Sequence, residues 1–401
     1  MQQAGKDNDR TGGERPIAEI ATTIEDVEAL APSWKALEDT AGAETPFQGW
    51  RWAHAWATQR MAGPGARPRP WVVSVRSGRD APISLIWPMQ IDRHAGLTRL
   101  GWLGLPALQY GGLLHAPASS QQLESWMDTA WQALMSAPVD FADFRLLPTD
   151  SPLAGFLARR CSGGVNNCAM RVDLASHADW RAFELSLSAS ARRSRKKRLN
   201  RLRKSGDVQF RMIEAPHLVA GLVQQGLAWK RRWLRDRGIS GSLLEQPDFA
   251  AFLTHLPAHA AAAGESRWLA AGLFFDGRPI AMDFGSLKGG VFHAYLSAYD
   301  ADFAHHSPGK ILLWLTLQWA RENDLAAYDL LANPAPYKRD WADVSRPLAH
   351  YVRARRMSGR LYGLWSAHLR VPMGKCLDAL PDCVATAMLS PLRRLRDGGK
   401  G

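Results

Sequence analysis

The chain has 401 residues, 46% hydrophobic and 22% charged, enough apolar material for two sizeable cores at roughly 100 to 200 residues per domain. The net charge is +12, and the stretch Arg192–Lys204 (RRSRKKRLNRLRK) alone holds nine basic residues and no acid, so the excess is largely local. The most apolar helical stretch, Ile311 to Ala320, is about half the roughly 20 residues that span a bilayer, so no transmembrane helix is expected. Cys161, Cys168, Cys376 and Cys383 lack the spacing of a structural zinc site, and reduced thiols without a bound metal are expected.

Residues 1–15 are polar and Gly-rich, without the apolar core of a secretory signal, and predict a disordered lead-in to a cytoplasmic protein. Pro70–Val75 and Pro82–Ile91 read as strands around a turn at Ser77-Gly78-Arg79-Asp80. Gln121–Met135 reads as a helix and Phe141–Leu147 as the strand after it. The Gly-rich Ser162-Gly163-Gly164 precedes a junction near Asn166 to Asp179.

Beyond the basic stretch, which Gly206 ends, three β-prone runs (RWLAAGLFF, PIAMDFGSL and VFHAYLSAY) are separated by Asp276-Gly277-Arg278 and Lys288-Gly289-Gly290. Glycine tolerates the positive φ of hairpin turns, so these runs predict an antiparallel meander. His305-His306-Ser307-Pro308-Gly309-Lys310 then opens a helix over Ile311–Asn323, and Ala327–Leu331 returns as a strand. The order resembles that of the first half, and the turn exits Gly78-Arg79-Asp80-Ala81-Pro82-Ile83 and Gly277-Arg278-Pro279-Ile280 are alike. We read a tandem duplication: halves over 16–166 and 172–359, each a mixed sheet with a packed helix, then a helical C-terminal extension over 360–401. The apolar and basic residues of that extension suit either a membrane surface or packing back onto the domain.

Four segments carry a family resemblance: Thr45-Pro46-Phe47-Gln48 followed by WRWAHAW; the basic segment ending RLRKSGDVQF; Ser307-Pro308-Gly309 at a helix start; and Pro336-Tyr337-Lys338 with Trp341. In this order and spacing they resemble the BioF2-like, CelD-type (cellulose biosynthesis) branch of the GNAT superfamily of acyltransferases, related to the Fem-type transferases. The resemblance implies an α/β (α+β) tandem GNAT-like fold with two mixed-sheet halves. It also implies a donor, acetyl-CoA or another acyl-CoA, and an acceptor amine or hydroxyl on a sugar, polysaccharide precursor or envelope metabolite. A Fem-type chain would take its acyl group from aminoacyl-tRNA instead. A non-catalytic GNAT-like factor in exopolysaccharide synthesis is the third reading. Two departures bear on that choice: His306 and Ile311 occupy positions of the phosphate loop where relatives carry Gln or Arg and a small residue, and Ala335-Pro336 replaces an acidic residue before Tyr-Lys.

The candidate site residues follow. His306, Ser307, Gly309 and Lys310 surround a helix amino terminus and are the donor-phosphate candidates, although a plain helix start reads the same way. Asp283 interrupts an apolar strand, so it needs a partner or a cleft. Tyr295 and Tyr299 share a strand face with His293 by alternation and could equally be core aromatics; the resemblance implies that a tyrosine here is the acid for the leaving thiolate. Tyr337 and Lys338 follow a loop stiffened by two prolines, which suits an acceptor site. Arg195, Lys196 and Lys197 are candidate contacts to a polyanion, whether tRNA, CoA or an anionic lipid headgroup of the inner membrane, or else part of a solvated face.

Overall fold

A computed structural model describes residues 15–40, 45–63, 67–239, 243–258 and 266–364. The lead-in up to residue 14 and most of the extension from 365 onward lie outside the described residues. The strands are β1 (Ile17–Ala21), β2 (Arg69–Pro70), β3 (Val72–Arg76), β4 (Ile83–Trp87), β5 (Met89–His94), β6 (Leu97–Trp102), β7 (Leu114–His115) and β8 (Phe141–Pro148). They continue with β9 (Ser162–Asp173), β10 (Val208–Ile213), β11 (Arg267–Phe275), β12 (Arg278–Lys288), β13 (Val291–Tyr299), β14 (Ala327–Ala332) and β15 (Val344–Ala354).

In the second half, β11, β12 and β13 form the expected antiparallel meander. Both of its turns place two successive residues at positive φ, Asp276-Gly277 and Gly289-Gly290, the conformation a two-residue hairpin of this twist requires. The Pro308–Glu322 helix then carries the chain over the sheet to β14, which lies parallel to β13. The first half repeats the order: β5 and β6 are antiparallel, the Ser120–Leu134 helix follows, and β8 lies parallel to β6. The stretch read as one strand, Pro82–Ile91, is divided at Pro88, which has no N–H for a ladder. β4 consequently belongs to a four-stranded sheet with β1, β3 and β7, while β5 joins the main sheet.

Among the described residues the main sheet has eleven strands in the order β10-β11-β12-β13-β14-β9-β15-β8-β6-β5-β2. At its centre the halves exchange strands. β9 follows the first half in sequence but pairs with β14, and β15 follows the second half but pairs with β8. β9 and β15 pair with each other, so residues 166–172 lie inside one continuous strand. Gly163 in β9 has φ +132°, and a Cβ there would stand 2.0 Å from the His350 carbonyl oxygen, a contact only glycine avoids. The fold is thus α/β, two mixed-sheet halves in tandem with helices on both faces.

The WRWAHAW segment is the Trp50–Trp56 helix, and it packs between the halves. Trp52 is fully buried against Trp268, Tyr295 and Phe252 of the second half, with ring centroids 5.9, 5.6 and 4.9 Å away. Beside it Glu38 pairs with Lys288, both buried, and accepts the Trp50 N–H at 2.8 Å. A buried charge needs such pairing, and here it fixes how one half seats on the other.

Candidate functional site

β13 and β14 are in register only from Val291–His293 to Ala327–Asp329. Beyond that the strands part, and a cavity of about 380 Å³ opens beside them. The carboxyl of Asp283 reaches it from β12, Ser297 and Tyr299 from β13, and Tyr328 and Leu330 from β14. Ser307, Gly309 and Lys310 close one side, and Tyr337 and Trp341 the rim.

Asp283 lies opposite Ser297 in the β12–β13 register and is 3% exposed. It accepts hydrogen bonds from the Ser297 hydroxyl at 2.8 Å and from the Tyr328 hydroxyl. Burial pushes its pKa up to about 6, against the two hydroxyl donors, which favour the carboxylate. A carboxyl that titrates near neutrality at a cleft is suited to accept a proton. Burial, and then the charge of Asp283, raise the pKa of Tyr337, so its phenol holds its proton at neutral pH.

A bulge decides which of the candidate tyrosines reach this cavity. The β12–β13 register slips between Phe284 and Gly285, which face Leu296 and Ala294 and leave Tyr295 as the extra residue. Tyr299 and Ser297 therefore face the cavity, while Tyr295 and His293 turn to the opposite face. There the Tyr295 hydroxyl donates to the Ala107 carbonyl of the first half at 3.0 Å, and burial raises its pKa far above the ordinary value. Simple alternation, which put Tyr295 and Tyr299 together, does not survive the bulge.

The helix amino terminus is open. Ser307 adopts a left-handed conformation (φ 56°, ψ 53°) and makes no side-chain cap, and Pro308 has no N–H to satisfy. The Pro308–Glu322 helix thus presents its positive end to the cavity through Gly309 and Lys310. Its counterpart in the first half is sealed: Ser119 and Gln122 form a reciprocal capping box at the start of the Ser120–Leu134 helix. The space beside that helix is a smaller cavity of about 140 Å³, bordered by Tyr110, Leu123 and Met127.

Other candidates stand apart. His306 is not in the cavity wall; it packs on His305 at 3.9 Å between ring centroids, and burial, His305 and Arg201 lower its pKa. Lys338 is buried, and its ammonium donates to the carbonyls of Ala332 (2.7 Å) and Leu331 (3.4 Å) at the end of β14. Burial lowers its pKa to about 8, opposed by Asp329 and Cys168. It holds the loop in place instead of facing the cavity with Tyr337.

Arg195 is buried as well, its guanidinium 3.7 Å from the Trp341 ring centroid and 5.0 Å from that of Trp314. Burial, then Arg198, bring its pKa down to about 10, against the pull of Asp340. Lys196 is exposed and pairs with Glu184 at 3.4 Å, and Lys197 is exposed. The sequence reading missed Ser297, Tyr328 and Lys230. Tyr328 lies in β14, which is buried along its whole length, so no alternation marks it, and Ser297 required the strand register.

The family model for an acetyltransferase (GNAT) domain matches residues 189–339, a segment that contains every lining residue of the cavity except Trp341. No curated protein matches the sequence. Among solved structures, FemX aligns over 83% of this chain and 97% of its own, at 10% identity and a TM-score of 0.58. The C-terminal domain of a putative lysylphosphatidylglycerol synthetase from Agrobacterium fabrum aligns over 84% and 94%, at 14% identity and a TM-score of 0.52. A conserved protein of unknown function from Bacteroides thetaiotaomicron aligns over 84% and 100%, at 10% identity and 0.52. At such identities the likeness is one of fold. Among the described residues no helix is long and apolar enough to cross a membrane, and no group of His, Cys, Asp or Glu could hold a metal ion.

Proposed function

We propose that the chain is a GNAT-type N- or O-acyltransferase whose second half binds an acyl-CoA and transfers the acyl group to an amine or hydroxyl. The observation that carries this reading is the meeting, in one cavity, of an uncapped helix amino terminus with a buried carboxyl of raised pKa. The amino terminus suits the donor's pyrophosphate. Asp283 accepts the proton of the attacking amine or hydroxyl as the new C–N or C–O bond forms, and Tyr328 and Ser297 hold its carboxylate in place. The C–S bond breaks, and the departing thiolate takes a proton from Tyr337 or Tyr299 at the rim. The match of residues 189–339 to the acetyltransferase domain supports the same assignment.

An acyl-CoA donor is favoured over aminoacyl-tRNA because the basic helix is less available than its composition implies. Arg195 is covered by Trp341, and Arg201 donates to the His305 carbonyl. A sugar or polysaccharide-precursor acceptor, and the BioF2-like and CelD-type affiliation, rest on the four sequence motifs. A cytoplasmic location goes with a CoA donor. A thermal-shift titration with acetyl-CoA, followed by an assay of released CoA thiol, tests the proposal. Stabilisation that saturates is expected; no shift at any donor concentration would remove acyl-CoA from the reading.

A further inference from the structure

The cavity holds a charge that the proposed chemistry leaves unused. Its charged lining residues are Asp283, Lys310 and Lys230. Lys230 belongs to the Pro216–Asp236 helix, and no carboxylate pairs with it among the described residues. Its ammonium lies 5.8 Å from the ring centroid of Trp233 on the same helix, a weak contact at most. Burial lowers its pKa with no acid to oppose the effect. A partly buried ammonium without a counter-charge costs stability that an arriving anion would recover.

The two lysines approach from opposite faces of the sheet. The Pro308–Glu322 helix packs Ile311 and Leu312 against Ala271, Leu273 and Ala281. The Pro216–Asp236 helix packs Val219, Leu222, Val223 and Leu227 in the cluster that contains Trp268, Met282, Phe284 and Leu296. Since Ala281 and Met282 alternate on β12, these are the two sides of one strand. Lys310 therefore lies on the side of the open helix terminus, and Lys230 reaches the cavity from the other, where the strands part.

We infer that Lys230 is a specificity-determining residue that receives an anionic group, carboxylate or phosphate, on the acceptor, so that the substrates are acidic amines or alcohols. This rests on the acyl-transfer reading, which places the donor on the Lys310 side. Asp283, the other charged group on the acceptor's path, accepts the nucleophile's proton, and a fixed anion on Lys230 would hold the nucleophile by its far end.

The test uses the full chain with CoA present, and matched probes: glucosamine 6-phosphate against glucosamine, and L-alanine against L-alaninamide. Calorimetric titration of the wild type should show the anionic member of at least one pair binding about tenfold or more tighter than its neutral partner. Lys230→Met should erase that difference while leaving acetyl-CoA affinity unchanged, and Lys230→Arg should retain much of it. The phosphate and carboxylate pairs distinguish which anion is taken. The inference is overturned if no anionic probe binds tighter than its neutral partner, if Lys230→Met keeps the difference, or if it weakens acetyl-CoA instead. Failure of the wild type to bind acetyl-CoA would count against the acyl-CoA reading, and is read separately from the probe comparison.

Discussion

The hydroxyl of Tyr110, in the first half, donates to both carboxylate oxygens of Asp329 in β14, at 3.0 and 2.8 Å, with both residues buried. Asp329 lies between Tyr328 and Leu330, two walls of the cavity in the second half. The sealed half thereby positions the open one. Tyr110→Phe removes the phenol donor and, among the described residues, leaves the Leu331 N–H, 2.7 Å away, on that carboxylate. We expect a loss of about 1–3 kcal/mol in chemical denaturation, the usual penalty for a buried acceptor deprived of a partner. Turnover should fall as well, and unchanged stability and turnover would show that this hydrogen bond does not position the second half.

Asp283 sets a pH dependence whose sign follows from its raised pKa of about 6. Below that value the carboxyl is protonated and cannot accept a proton, so kcat/KM should rise with pH through about 6 and then level off. Asp283→Asn should remove that limb and lower turnover by about 10²–10⁴-fold. Stability moves the other way. The folded-state pKa exceeds the ordinary 3.8, so the contribution is fully present below about pH 4 and is lost as pH rises through 6. Denaturation curves for Asp283→Asn should lack this decline; an unaltered pH profile of activity would exclude Asp283 as the proton acceptor.

Within the basic helix, neighbouring residues should respond differently. Arg195→Gln removes the guanidinium that covers Trp341 and should cost stability, about 1–2 kcal/mol, with little effect on heparin affinity. Replacing Lys196 and Lys197 by Gln should leave the melting temperature in place and lower heparin affinity with a flatter salt dependence. If all three changes act alike on heparin, Arg195 is more accessible than its packing implies.

Lys338→Met tests whether that lysine supports the loop or reacts. Two backbone carbonyls lose their donor, so a loss of about 1–3 kcal/mol is expected, with acetyl-CoA affinity near that of the wild type. A variant of full stability that had lost all turnover would instead give Lys338 a chemical role.

Much of this was legible in the sequence where local rules dominate. The glycine turns at 277 and 289–290 dictate the meander, and Ser307-Pro308 starts the helix that follows. The repeated order of elements shows in both halves. What escaped was non-local. A one-residue bulge in β13 separates Tyr295 from Tyr299, and no alternation count detects it. The exchange of β9 and β15 depends on pairing between strands some 180 residues apart, such as Gly163 with Tyr351. Lys338 and Arg195 read as free cations because their partners, carbonyls at a strand end and a tryptophan far along the chain, are set only by the fold.

The second half alone is expected to carry the donor site, and calorimetric titration of acetyl-CoA against the wild type and Gly309→Val tests this most directly. A Cβ at Gly309 would meet nothing closer than Tyr299 Cδ1 at 3.5 Å, ordinary contact, so the variant should fold while its side chain intrudes on the cavity. One acetyl-CoA per chain should bind to the wild type, and binding should weaken at least about tenfold in the variant. Two sites per chain, or unchanged affinity in a folded Gly309→Val, would contradict it.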